Sequence, residues 1–472
     1  MPPSRWSVRP PVAGREVPSR VATLTMSNPP EILPPENTPE PLSRATRLQA
    51  LMRDTLKTKF FKQGLKMSIA RMISLAVGLV GSIWAARCLG PVNLGISGMI
   101  IGTVNQLVLL GSLNQNANLV RGYKNAASPG QAADLVSTAF TFRTLYTMAM
   151  MLVATIVMVI IGVPSTWIVG IIAAFPFFLF SVNVPDWVLQ GEGNMPACYM
   201  VGTLQALVIA GLYFVFFRPG MSPGSDVIVW AIGTGIYFGV GWYIAVGKRK
   251  IKLFQPRLAP AMFPILGEGR WLILMGLVNY VLVNLESPLL GYLHSIKEVG
   301  TYRAATQISM GMQAFLLMIS DLMYPRLIEW RKEGIEVLWQ RQKKVAIVLA
   351  GGLLPMGLLA FLITPIFFHY CYGSAFQRAA YPCALLLFSR LVAVLTRIYG
   401  YGLVAQKEDR KLAIVCSGIA VFSLASNCIF IPTYGIYASS INNLISEILS
   451  FALELGVSYW VLRKARKAAT AV

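Results

Sequence analysis

Runs of about twenty apolar residues recur along almost the whole chain, and no other feature restricts its fold as much. A helix needs about 20 such residues, rising about 1.5 Å each, to cross a hydrocarbon core about 30 Å thick. Runs of this kind lie near residues 64–88, 93–120, 135–160, 165–190, 194–217 and 226–247, and again near 267–293, 299–326, 345–369, 376–404, 411–432 and 435–461. They predict an all-α polytopic membrane protein with twelve transmembrane helices in two sets of six. Composition agrees: 55% of the 472 residues are hydrophobic and only 13% charged, which leaves no surface for a sizeable water-exposed domain.

Breakers fall between the runs: LGPVNLG after the first, IGVPS after the third, RPGMSPGSD after the fifth and IPTYG after the eleventh. Pro176 and Pro185 interrupt the fourth run, whose freed carbonyls then need partners from neighbouring helices. The two ends and the even-numbered connections hold 31 of the 41 Lys and Arg residues, against 3 in or beside the odd-numbered ones. By the positive-inside rule both termini are cytoplasmic. This topology also accounts for the net charge of +21, since a nucleic-acid binder has no use for a dozen apolar spans.

The expected organisation is a Pro- and Arg-rich disordered tail over 1–60, a first lobe of six helices over 61–247 and a basic linker over 248–266. A second lobe over 267–462 and a basic tail over 463–472 follow. GPVNLGISGMIIG and KEVGTYRAATQIS, about 205 residues apart, echo each other at the start of the second helix of each set. Six spans per half implies parallel lobes related by a pseudo-two-fold axis normal to the membrane, with a cavity between them. The six cysteines show no metal-ligand spacing, the two histidines are isolated, and no phosphate-cradling glycine loop or nucleophile triad occurs.

Polar residues inside the runs are the candidate functional groups. An arginine at a helix centre costs about 2.5–3.5 kcal/mol on insertion scales. Arg390 and Arg397 are seven residues apart and share one helix face to within about 20°. Glu447 and Glu454 repeat that spacing on the twelfth span, so either an Arg–Glu ladder joins two helices or a wet cavity offers the arginines to an anion. Arg71 and Arg143, near cytoplasmic helix starts, are expected to snorkel or to line that cavity, while Arg87 and Arg303 lie nearer the outer face. Glu286, beyond Asn279 and beside Asn284 and Pro288, is a candidate proton site or a structural acid held by Arg303. Asn105 and Gln106, above the amide cluster 114–118, suit either sugar hydroxyls or helix–helix glue, and Asp186 suits the cap of a kinked helix.

The segment KMSIARMISLAVGLVGSIWAARCLGPVNLGISGMIIG resembles the opening of the polysaccharide biosynthesis and export family, O-antigen flippase type. That family lies within the multidrug/oligosaccharidyl-lipid/polysaccharide exporter superfamily. Its AARxLGPxxxG pattern is matched by Ala85, Ala86, Arg87, Leu89, Gly90, Pro91 and Gly95. GTYRAATQIS, FFHYCYGSAFQRAAYP and FIPTYGIYASSINNLISE are similar to later segments of the family in the same order, so the resemblance covers 64–462. Ala438 and Ser439 depart from the usual Gly-Ala pair.

The resemblance implies a flippase of the bacterial inner membrane that moves a polyprenyl-diphosphate-linked oligosaccharide outward by alternating access. It makes or breaks no covalent bond. Arg390, Arg397, Arg71, Arg143 and Arg303 would then balance the diphosphate or acidic-sugar charge, and Asn105 and Gln106 would meet hydroxyls. The prenyl tail would stay in lipid between the lobes. Glu286 would take a coupling H⁺ or Na⁺, Glu447, Glu454 and Asp186 would be structural or gating groups, and no other cofactor is implied. Membrane lipids and the polymerase or glycosyltransferase machinery are the implied partners. The competing readings are a scaffold within a polysaccharide synthase complex and an ion-coupled multidrug exporter, whose cavity should be lined by acids rather than arginines.

Overall fold

The computed structural model describes residues 59–472 apart from 163–164, 248–250, 271–272, 275–277, 279–284, 407, 471–472 and some further side chains, among them those before Met72. The expected tail up to residue 58, Asn279, Asn284 and the side chain of Arg71 therefore lie outside the described residues. Residues from Lys62 to the C-terminus form one compact unit.

The chain is an all-α polytopic membrane protein. Helix α1 runs Lys59–Ser112, and as a straight rod its 54 residues would measure about 80 Å, far beyond a bilayer core. It is broken at Gly90, whose φ of 71° and ψ of 172° are outside helical geometry, with Pro91 next. LGPVNLG is thus a one-residue break between two spans. A short α2 (Asn116–Lys124) precedes α3 (Pro129–Ile161), which starts on a Ser128 side-chain cap and stops at left-handed Gly162 in the IGVPS breaker.

The fourth apolar run forms three pieces, α4 (Ser165–Ala173), α5 (Phe175–Val182) and α6 (Asp186–Gly191). Pro176 opens α5 and Pro185 precedes α6. Neighbouring helix α8 (Pro223–Val246) meets the polar groups around the second break. Trp242 donates its indole N–H to the Asn183 carbonyl at 2.8 Å, and the Tyr237 hydroxyl donates to Asp186. Between them in the chain lies α7 (Met195–Phe216).

The linker is strapped down rather than loose. Ser137 and Thr141, one turn apart on α3, donate to the carbonyls of Lys252 (2.7 Å) and Leu253 (3.3 Å), and the Gln255 N–H donates back to Thr141 (2.8 Å). It ends in α9 (Met262–Glu268). The second half comprises α10 (Glu286–Leu293), α11 (Ile296–Glu333), α12 (Ile335–Phe367), α13 (Ala380–Ala405), α14 (Asp409–Tyr434) and α15 (Ile436–Thr470). The expected C-terminal tail is helical as far as Thr470.

Eight of the described helices are long and apolar enough to cross a membrane. Only 11% of the most apolar stretch of α3 is buried, so side chains such as Leu152 and Ile160 face lipid, whereas 78% of that of α13 is buried. Helix α13 is the axis of the second half, packed by α11, α12 and α15.

Candidate functional site

Among the described residues, the two halves of the chain share a hydrophobic core at one end of the bundle. Ala85, Leu89, Leu94 and Phe217 pack there with Leu290, Val299, Phe368 and Phe376 in one cluster. At the opposite end, one cluster stays within the first half and its linker and another within the second half. The shared core lies at the end that carries the odd-numbered connections.

Close backbone approach explains the two echoing glycine motifs. A Cβ on Gly95 would sit 2.0 Å from the Ile296 carbonyl oxygen, and one on Gly300 would sit 1.9 Å from that of Pro91. Only hydrogen side chains let α1 and α11 touch here. Polar contacts reinforce the joint. Arg303 Nη1 lies 2.9 Å from Asp226 Oδ2 and donates to Ser97 Oγ at 2.6 Å, while the Tyr213 hydroxyl donates to Asp226 Oδ1 at 2.5 Å. Asp226 is 1% exposed, so this ion pair is buried and links α8 to α11. Arg87 donates to the Tyr370 carbonyl, again joining first half to second.

Glu298 organises the same end within the second half. It accepts from the Ile436 N–H at 3.0 Å, capping α15, and pairs with Arg378 at 3.3 Å and His294 at 3.5 Å. Gly435 (φ 54°) makes room, since a Cβ there would fall 1.9 Å from Glu298 Oε2.

A second polar group fills the interior of the second half. Glu286, 5% exposed, accepts from the Tyr302 hydroxyl and from Asn443 Nδ2 at 3.2 Å, and Ser389 donates to Asn443 Oδ1 at 2.6 Å. Arg390 adds its field to Glu286, and both Arg390 and Arg397 add theirs to Glu447. Glu454 feels Arg397 and Glu447. None of the four possible pairings of Arg390 and Arg397 with Glu447 and Glu454 closes to a contact ion pair, and Arg390 Nε is buried without a hydrogen-bond partner. The arrangement is an open charge cluster of three acids and two guanidinium groups.

The described sequence-predicted residues fall in separate places in this conformation. Arg390 and Arg397 sit with Glu286, Glu447 and Glu454 inside the second half, and Arg303 sits at the joint. Glu286 is held by Tyr302 and Asn443, not by Arg303. Arg143 is about four turns into α3 rather than at its start, is 2% exposed, and donates to Asn116 Oδ1 at 2.8 Å. It is packed instead of snorkelling. Gln106 is buried and Asn105 exposed, and below them Asn118 donates to Gln115, which donates to the Gly269 carbonyl at 3.2 Å. The lower amides thus act as glue between the start of α2 and the residue that ends α9. Asp186 is the first residue of α6 and ties the kinked fourth run to α8 through Tyr237.

Asp226, Glu298, Tyr302, Ser389 and Asn443 were not singled out from the sequence. Asp226 is the last residue of the RPGMSPGSD breaker, and an acid in the first turn of an apolar span is the one signal it offered.

Comparison with known proteins follows the same lines. The family model described as "Polysaccharide biosynthesis protein" matches residues 61–330. The "Putative O-antigen transporter" of Escherichia coli (strain K12) is 21% identical over 345 residues, covering 70% of this chain and 79% of that protein. Among solved structures, the lipid II flippase MurJ in an inward closed conformation has a TM-score of 0.69 at 15% identity, covering 83% of this chain and 87% of that one. An inward-facing multidrug resistance MATE family transporter of the MOP superfamily gives 0.66 at 14% identity (85% and 99% covered). An outward-facing one gives 0.51 at 17% (87% and 98%). The fold is shared with these proteins.

Proposed function

This chain belongs to the polysaccharide biosynthesis protein family, and on that premise we propose that it is a flippase for a polyprenyl-diphosphate-linked oligosaccharide in the bacterial inner membrane. Its twelve spans form two six-helix lobes, over 61–247 and 267–462, that rock against each other and so open and close the joint at Gly95 and Gly300. The charge asymmetry of the connections supports cytoplasmic termini, which makes the joined end periplasmic and the conformation inward-facing. Alternating access then consists of parting the joint and closing the opposite end.

The observation that carries the substrate reading is Arg390, a guanidinium held at membrane depth with an unpartnered Nε and no contact ion pair. Such a group is tolerated where the ligand brings negative charge into a weakly screening medium. Helix α13 runs from the joined end toward the open one, so Arg397 is the nearer to the open end and Arg390 the deeper. Arg397 meets the diphosphate first and Arg390 on further opening. Arg71 guides the head group from the cytoplasmic side, Arg143 joins it once released from Asn116, Arg303 receives it once the Asp226 pair opens, and Asn105 and Gln106 meet sugar hydroxyls. Glu286 takes the coupling H⁺ or Na⁺, with Glu447, Glu454 and Asp186 as gating or structural groups.

The test is translocation of a labelled polyprenyl-diphosphate oligosaccharide in proteoliposomes by wild type, Arg390→Ala and Arg397→Gln, with folding checked by monodisperse elution. Folded variants should lose translocation at least tenfold. Undiminished translocation by both would make the arginines internal partners of the glutamates.

A further inference from the structure

Between α12 and α15 the second half carries a groove of about 800 Å³ that the proposed path of the head group leaves unused. A cavity of that size is in the range that accommodates whole ligands or chains. Its floor is one face of α13, formed by Phe388, Val392, Leu395 and Tyr399. At 100° per residue these four fall within about 60° of one another, and Arg390 and Arg397 lie about 180° away. The groove is thus on the opposite face of α13 from the charge cluster.

The walls explain why the floor stays uncovered. Ala346 and Ala350 on α12 and Ala452 and Gly456 on α15 are one-turn pairs of small residues, so neither flanking helix reaches across α13. The groove opens to the bilayer past Ile347 and Ile448, which are 61% and 45% exposed. Along α12 it extends from Trp339 to Leu354, about 22 Å. Its mouth is at the end opposite the joint, where Trp339 and Tyr459 stand 5.8 Å apart between ring centroids, and Lys343 is the only charge on its lining. Aromatic rings beside a lysine mark headgroup depth.

We infer that this groove seats the isoprenoid chain of the substrate as it loads, with the chain's phosphate end against Lys343 before the diphosphate passes round the end of α13 to Arg397. The inference rests on the flippase reading above and moves the tail from the gap between the lobes into the second half. Charge complementarity selects an anionic lipid. The notches at Ala346 and Ala350 and at Ala452 and Gly456, with Phe388 and Tyr399 in the floor, suit a branched, unsaturated chain better than a straight saturated one. In the proposed orientation the mouth faces the cytoplasmic leaflet, the side from which a flippase must load.

The experiment uses the full chain in nanodiscs with two photoreactive probes, a benzophenone-bearing polyprenyl diphosphate and a benzophenone-bearing phosphatidylglycerol, read by mass spectrometry of labelled peptides. The prenyl probe should label α12 and α15. Labelling should fall at least tenfold in Ala350→Trp and Gly456→Leu, and a tenfold excess of unlabelled phosphatidylglycerol should not compete. Should the filled variants fail to fold, Lys343→Gln at the exposed mouth should weaken labelling several-fold and Lys343→Arg should restore it. Equal labelling by the phosphatidylglycerol probe would make the groove a site for bilayer lipid, and unchanged labelling in the filled and Lys343 variants would remove the site. Translocation by wild type with an unlabelled groove would refute the groove alone. A specifically labelled groove in a protein that does not translocate would keep the chain site and remove the transport reading.

Discussion

Gly300→Ala should tip the protein away from the conformation described here. The new Cβ would lie 1.9 Å from the Pro91 oxygen and 2.8 Å from the Gly95 nitrogen, whereas ordinary contact begins at 3.4 Å. Backbone atoms cannot swing aside, so α1 and α11 must part by about 1.5 Å. Overpacking of this kind costs about 1–3 kcal/mol. The strain falls only on the state in which the two helices touch, so the equilibrium should shift about 5–150-fold toward a parted joint. Spin labels at Pro219→Cys and Tyr292→Cys, in a background without the six native cysteines, would report the distance across the joint by electron–electron double resonance. A longer-distance population should grow with Gly300→Ala. It should not with Gly418→Ala, where nothing lies within 4 Å of the added carbon. Unchanged distances in a folded Gly300→Ala protein would refute the claim that the joint depends on this approach.

Three further outcomes follow from the polar contacts. Asp226→Asn strands the buried Arg303 guanidinium and should destabilise the protein by about 3–5 kcal/mol, with part of the loss recovered in Asp226→Asn/Arg303→Met, as read by thermal unfolding in detergent. Glu286→Gln keeps an acceptor for Tyr302 and Asn443 while removing the charge, so the folded variant should translocate at a rate independent of an imposed pH or sodium gradient. A gradient response equal to that of wild type would remove Glu286 from coupling. Ser137→Ala with Thr141→Ala removes four hydrogen bonds between α3 and the linker, worth about 1 kcal/mol each. Tryptic cleavage after Lys252 and Arg257 should accelerate several-fold.

What was legible in the chain was set by short-range physics. Apolar run length marked the long apolar helices, eight of them long enough to span among the described residues, and Gly90-Pro91, Gly162, Pro176 and Pro185 marked where helices break, because each acts through its own backbone. Pairings across the fold were not legible. Gly95 and Gly300 read as ordinary helix starts until their 205-residue separation closes into a contact. Glu286 was assigned to Arg303 as its possible holder, yet the adjacent Tyr302 is the partner. On a helix the two side chains diverge by about 100°, so one turns into the second half and the other toward Asp226 in the first. The seven-residue spacings of Arg390 with Arg397 and of Glu447 with Glu454 did announce one shared interior, but not that their ion pairs would stand open. A one-dimensional pattern fixes a helix face and leaves the depth of approach to packing.

The most direct test of the flippase account follows wild-type protein in vesicles carrying a polyprenyl-diphosphate oligosaccharide with a fluorescent sugar, with a membrane-impermeant quencher added from one side. The account predicts protein-dependent movement of the fluorophore between leaflets, several-fold above that in protein-free vesicles and abolished when the diphosphate is replaced by a neutral linkage. Movement no faster than in empty vesicles, or equally fast for the neutral analogue, would contradict it.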